Sequence, residues 1–273
     1  MKKSPFVFFA LLLTLSCISC KKDKEYDMHP NLNVADDVIL LHRPFLYVTQ
    51  MLVKAVVDST LKAAHHTIID SALVTFDPTN NKYIFEFTGK LCLDSVVRNG
   101  SFTAQVDTNF FNQGAVTKII YHQYFEDIHL ITGNDSMVCT GLQNGSYQFD
   151  RFITDAVVSK DSLHAIQWMA KLHFSVTESV VTHGLSNSVM LFTGSSSGFS
   201  SGGYTFSTEI TRSLAVWNCP WIRDGLISVE IPDLPFSNGT IEFMAGTLCN
   251  SAIKYDFEGN LFLLWMKEKF LKY

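Results

Sequence analysis

The stretch "RNGSFTAQV" at residues 98–106 opens on Arg98-Asn99-Gly100, a phrase suited to the positive φ of a tight turn. It continues with Phe102, Ala104 and Val106 at alternate positions, the period of a strand with one buried face. Turn followed by alternation reads as a hairpin of an antiparallel sheet. The phrase returns as Arg223-Asp224-Gly225 with Ile227, Val229 and Ile231, an offset of 125 residues. The same offset carries Phe111 to Phe236 and Gly114 to Gly239, so two related β halves are expected.

Outward from this phrase the chain reads as strand after strand. "ALVTF", "KYIFEF", "VTKIIYH", "DIHLIT", "GSYQF", "KLHFSV", "SVMLF", "GYTFSTEI", "LISVEI", "GTIEFM", "SAIKYDF" and "LFLLWM" are short and rich in β-branched and aromatic residues. Asn-Gly, Asp-Pro, Gly-Asn and Ser-Gly punctuate them. The expected body is mainly β, an antiparallel sandwich-like arrangement in a first half at 67–160 and a second at 161–273, or one continuous domain. "DAVVSKDSLHAIQWM" is expected to hold a short helix between the halves.

Residues 34–66 have the helical period instead. Phe45, Val48, Leu52, Ala55, Val56 and Ser59 fall near one face, and Pro44 is expected to start a second helix or kink the first. His65 and His66 suit a helix end. Residues 21–33 read as a charged, proline-containing tether.

The N-terminus carries the address. Lys2 and Lys3 precede "PFVFFALLLTLSCISC", after which the chain turns charged with "KKDKEYD". That pattern is a signal peptide, too short to cross a bilayer comfortably as a helix. The junction resembles a bacterial lipoprotein signal in which a cysteine is diacylated. Cys20, with charge directly behind it, is favoured over Cys17, and residues 1–20 are the expected signal. Each buried methylene of a lipid chain contributes about 0.8 kcal/mol to membrane attachment.

The formal charge of −5 becomes −7 once Lys2 and Lys3 leave with the signal. A mildly acidic mature chain does not suit nucleic acid. Four cysteines remain beyond the signal. Cys219 with Cys249 is the best disulfide pair, worth about 3 to 4 kcal/mol for that loop in the chain-entropy model. Cys92 and Cys139 read equally as a second bridge or as buried thiols. Without C-x-x-C beyond the signal junction, nothing supports a zinc or thioredoxin-like site.

Gly194-Ser195-Ser196-Ser197-Gly198 fits the G-x-S-x-G spelling of a hydrolase nucleophile elbow. An elbow needs strand, turn and helix with a histidine later in the chain. Here "FSSGGYTFSTEI" follows, and the last histidine is His183. The run "GSSSGFSSGG" therefore reads as a mobile loop tip. His122, Glu126, Asp127 and His129 crowd together but match no metal-ligand spacing. No catalytic residue, metal or cofactor is assigned. Trp217 and Trp221 flank Cys219, an arrangement suited to packing on a disulfide.

Asp-Ser recurs at Ser59, Ser71, Ser95, Ser136 and Ser162. The pattern resembles the O-glycosylation acceptor that Bacteroidetes-type bacteria use on exported proteins, which makes these five serines candidate sites; Asp-Ser also marks turns and caps.

The ensemble resembles the uncharacterised β-rich lipoproteins of Bacteroidetes. The "SCKKD" junction, the helical preface and Cys92, Asp94, Arg98, Gly100 and Phe102 of a C-x-D-x-x-x-R-x-G-x-[FI] phrase carry the likeness. So do Gly239-Thr240-Ile241, Gly246-Thr247-Leu248-Cys249-Asn250 and Gly259-Asn260, although the aspartate often found after the late cysteine is Asn250 here. The resemblance implies a protein anchored by lipid in the cell envelope, at the surface or periplasmic face of the outer membrane. It implies no activity. A binding or structural lipoprotein facing a glycan or protein ligand is the first expectation, and an envelope enzyme acting on glycans the alternative.

Overall fold

The structure is a computed structural model that describes residues 27–177, 189–216, 221–244 and 252–265. Helix α1 (His29–Val57) and the short α2 (Ser59–Ala64) precede fourteen strands. These are β1 (His66–Ile69), β2 (Ala72–Asp77), β3 (Lys82–Leu91), β4 (Val97–Val106), β5 (Val116–Glu126), β6 (His129–Gln143) and β7 (Ser146–Ser159). They continue as β8 (Ala165–Thr177), β9 (Met190–Phe199), β10 (Thr205–Val216), β11 (Asp224–Glu230), β12 (Asn238–Met244), β13 (Ala252–Phe257) and β14 (Asn260–Trp265).

The strands pair in sequence order in one antiparallel sheet, open between β1 and β14. The body is therefore mainly β, but its strands form a single open sheet and not the expected sandwich: among the described residues no second sheet covers the inner face. Its partner is α1. Of the 29 residues in α1, 21 are buried, most of them apolar, so the helix is enclosed on nearly every side and belongs in a core. Residues of β5, β7, β13 and the β9–β10 turn all bond to it, which means that the sheet curls around the helix. The pairing runs without a break past residue 160, so both expected halves share one sheet.

Bulges let the sheet curl. Gly100 and Gly225, read as tight-turn positions, instead lie inside β4 and β11 with φ of 81° and 142°. At each, the preceding side chain accepts a hydrogen bond from the glycine N–H: Asn99 Oδ1 at 2.9 Å and Asp224 Oδ1 at 2.7 Å. A Cβ on Gly100 would lie 1.8 Å from the Gln123 carbonyl oxygen, so only glycine allows β4 this approach to β5. The repeated phrase is thus a repeated bulge.

Other boundaries move. Pro30 starts α1 rather than belonging to a tether, as suits a first-turn proline, and Pro44 sits inside one continuous helix. Ser59 is exposed and does not share the buried face of Val48 and Leu52. Asp58 caps α2 through the Thr60 and Leu61 N–H groups, and His65 ends it in the left-handed region. "DAVVSKDSLHAIQWM" holds no helix; it is the β7–β8 hairpin. Gly194–Gly203 is only partly a loop tip: residues through Phe199 belong to β9, and Ser200 to Gly203 make the β9–β10 turn.

Inside the curl, Phe149, Phe174 and Phe192 stack across β7, β8 and β9 at 4.7 and 5.3 Å. Two buried arginines tie sheet to helix. Arg98 holds Asp94 with two hydrogen bonds of 2.7 and 2.5 Å and Glu126 with a third, while Arg43 of α1 reaches Glu126 at 3.0 Å. Arg151 holds Asp135 and donates to the Phe45 carbonyl of α1. Burial opposes ionisation of Glu126, but the guanidiniums of Arg98 and Arg43 outweigh it and hold the carboxyl below its usual range. Cys92 and Cys139 are buried free thiols. The expected Cys219–Cys249 bridge and the Cys20 lipidation site lie outside the described residues, as does Trp217.

Candidate functional site

Two concave features stand out. The first is a solvent-facing groove of about 1050 Å³ on the outer face of the sheet. Strand pairing places Phe152, Lys171, Ser195, Glu209, Ser228, Thr240 and Asp256 in one row across β7 to β13. Six strand spacings of about 4.8 Å make this floor roughly 29 Å long. The next outward row runs Met169, Ser197, Ser207, Glu230 and Asn238.

Both rows alternate short side chains, Ser195, Ser228 and Thr240 in the first and Ser197 and Ser207 in the second, with longer ones that rise beside them. Ser228 Oγ donates to the Glu209 carbonyl at 3.2 Å, and Ser207 Oγ donates to Glu230 at 3.4 Å. Phe152 stands exposed at one end with Lys171 Nζ 5.8 Å from its ring centre. The floor thus offers hydroxyls, carboxylates and one apolar platform.

The second feature is a cavity of about 270 Å³ between the first half of α1 and the inner side of the sheet. Ile39, Leu40, Ile128, Val158, Ile166 and Ile253 give it apolar walls. Asp36, Asp37, Asp127, His129, Lys160, His164 and Tyr255 bring polar groups to it. Tyr255 donates to Asp36 at 2.7 Å. Asp37 Oδ2 accepts from the Ser201 N–H at 2.7 Å and the Ser201 hydroxyl at 2.9 Å. Burial pushes the Asp37 carboxyl up to about 6 against these two bonds. One turn further along α1, His42 is held near 4 by burial and lacks a hydrogen-bond partner among the described residues, with its ring edge on Trp168.

The predicted residues fall in different places. Ser196 of the G-x-S-x-G run lies buried in β9, its Oγ 2.6 Å from Thr208 Oγ1 on the inner face, with no histidine beside it. It is a packing hydroxyl. Its neighbours Ser195 and Ser197 face outward and floor the groove. His122, Glu126, Asp127 and His129 do not converge: Glu126 is consumed by Arg43 and Arg98, whereas Asp127 and His129 line the cavity.

All five aspartates of the Asp-Ser pairs have structural partners. Asp58 caps α2, Asp70 accepts from the Leu93 N–H, Asp94 and Asp135 hold buried arginines, and Asp161 closes a turn on Leu163 and His164. Ser59 and Ser162 are exposed; Ser71, Ser95 and Ser136 are half-buried.

Sequence reading missed both features. For the cavity, the signal available was Asp36-Asp37, two acids inside an otherwise apolar helical run. For the groove it was the density of serine in "GSSSG" and "TFSTEI", which marks a face and not a loop. No protein-family model, curated protein or solved structure matches the chain.

Proposed function

We propose that this is an exported, lipid-anchored protein of the cell envelope whose outer-face groove binds an extended, neutral, polyhydroxylated chain, a glycan. The groove carries the reading. Its hydroxyls both donate and accept, its carboxylates accept from sugar hydroxyls, and Phe152 offers an apolar face of the kind a pyranose ring lies on. Glu209, Glu230, Asp256 and Glu258 outnumber Lys171, so an anionic ligand would meet like charge.

The lipid on Cys20 holds the sheet at a membrane, and the tether that leads into Pro30 is short. The family likeness of the "SCKKD" junction and of the Cys92–Asp94–Arg98–Gly100 phrase supports export. Of the five Asp-Ser serines, exposure singles out Ser59 and Ser162 as the ones a glycosyltransferase would reach. Screening the full-length protein against arrayed neutral and anionic glycans tests the reading. Saturable binding to a neutral chain upholds it; silence on neutral glycans, or preference for anionic ones, overturns it.

A further inference from the structure

The cavity beneath α1 is separate from the groove and has a different chemistry. Asp37 is 8% exposed and lines it. Both hydrogen bonds from Ser201 go to Oδ2, which leaves Oδ1 without a hydrogen-bond partner among the described residues. No described cation lies within ion-pair distance of it, in contrast to Asp94, Asp135 and Glu126, each of which holds an arginine. A buried carboxylate without a counter-charge is costly, and proteins ordinarily supply the partner.

Three further facts bear on what the partner is. About two turns of helix beyond Asp37, Pro44 has no N–H to give the carbonyl of Leu40, a residue of the cavity lining, so that acceptor loses its helical donor. Ile39, Ile128, Val158, Ile166 and Ile253 give the cavity a hydrocarbon side beside its polar groups. Among the described residues no three carboxylate, imidazole or thiol groups converge as a metal would require. The cation that suits this site is organic and monovalent, with an apolar body.

We propose that the cavity between α1 and the inner face of the sheet binds a small amphiphilic amine, its ammonium group donating to Asp37 Oδ1 and its hydrocarbon body packed on the isoleucine and valine wall. Asp36 is already bonded to Tyr255, and Asp127 faces Arg43, so Asp37 provides the charge. Lys160 and His164 stand at the β7–β8 side of the cavity and His129 at the β5–β6 side. Positive charge on any of these three side chains would oppose the amine, and none of them lies within ion-pair distance of Asp37.

Calorimetric titration of the full-length protein with n-hexylamine, n-hexanol and hexanoate at pH 7.5 tests this. The expected result is one saturable site at which hexylamine binds at least about ten-fold more tightly than hexanol, with hexanoate weakest. With the Asp37 carboxyl titrating at about 6, lowering the pH to 5 weakens hexylamine about ten-fold and leaves hexanol unchanged. Asp37→Asn removes the preference for the amine over the alcohol, whereas His129→Ala and His164→Ala retain it. Equal binding of hexanol and hexylamine, no saturable binding of hexylamine, or an unchanged preference in D37N overturns the proposal. Should D37N fail to fold, the wild-type comparison decides: a profile flat between pH 5 and 7.5 overturns it. None of these outcomes depends on whether the outer groove binds a glycan.

Discussion

Asp94 in the β3–β4 turn and Arg98 in β4 lie four residues apart, and both are buried beside Glu126. Removing one partner strands the other charge in the core. Asp94→Ala is expected to cost about 3 to 5 kcal/mol in urea denaturation, and a D94L/R98M double variant less than the single one. Asp94 and Arg98 stood out in the sequence only as members of the C-x-D-x-x-x-R phrase; the buried ion pair between them was not legible there. Arg43 of α1, which completes the cluster through Glu126, is remote in sequence, and nothing local marks it. Asp37 behaves oppositely. Burial raises its carboxyl from the ordinary 3.8 to about 6, so the folded state binds the proton more tightly than the unfolded chain does. Stability from this group is fully present below pH 4 and is lost as the pH rises through 6. Asp37→Asn, which keeps an acceptor for Ser201, should therefore raise stability at pH 7.5 by about 3 kcal/mol and leave it unchanged near pH 3.5. Melting curves at the two pH values check both the size and the sign.

Among elements, the strands were the legible part, because alternation of apolar and polar residues reports which side faces a core. Where a bulge breaks the alternation, the signal fails. In β7 the register shifts between Ile153 and Ala156, and Asp155 takes a positive φ, so "DAVVSKDSLHAIQWM" loses its period of two and mimics a helix. β9 fails for another reason: "GSSSG" has no β propensity of its own, and β8 and β10 on either side impose the strand on it. The bulges themselves carry the curvature. Gly100→Ala puts a Cβ against the Gln123 carbonyl at a φ of 81°, so it should cost at least about 1 to 3 kcal/mol and loosen β4 from β5. Hydrogen exchange at the Ser101 and His122 amides reads that loosening; unchanged protection would show that the bulge tolerates a side chain.

For the whole molecule, alternation could not say whether the inner face meets a second sheet or a helix. The deciding fact is that α1 is buried on nearly all sides, with its polar residues Asp37 and Arg43 bonded to the β9–β10 turn and to the sheet. Wrapping one long meander around a helix leaves the other face of the sheet to solvent, and between β7 and β13 that face carries the groove. Export and anchoring make their own prediction: Cys20→Ser should lose incorporated palmitate and be released from membranes, while Cys17→Ser should retain both. The most direct test of the account is calorimetric titration of a neutral glycan found by array screening into wild-type protein and into Ser228→Trp. The substitution stands an indole in the middle of the groove floor, on the solvent side and away from the core. The account predicts saturable binding to wild type, loss of at least about ten-fold in affinity in S228W, and a change in melting stability within ~0.5 kcal/mol, as for other surface substitutions. Undiminished glycan affinity in a folded S228W would contradict it.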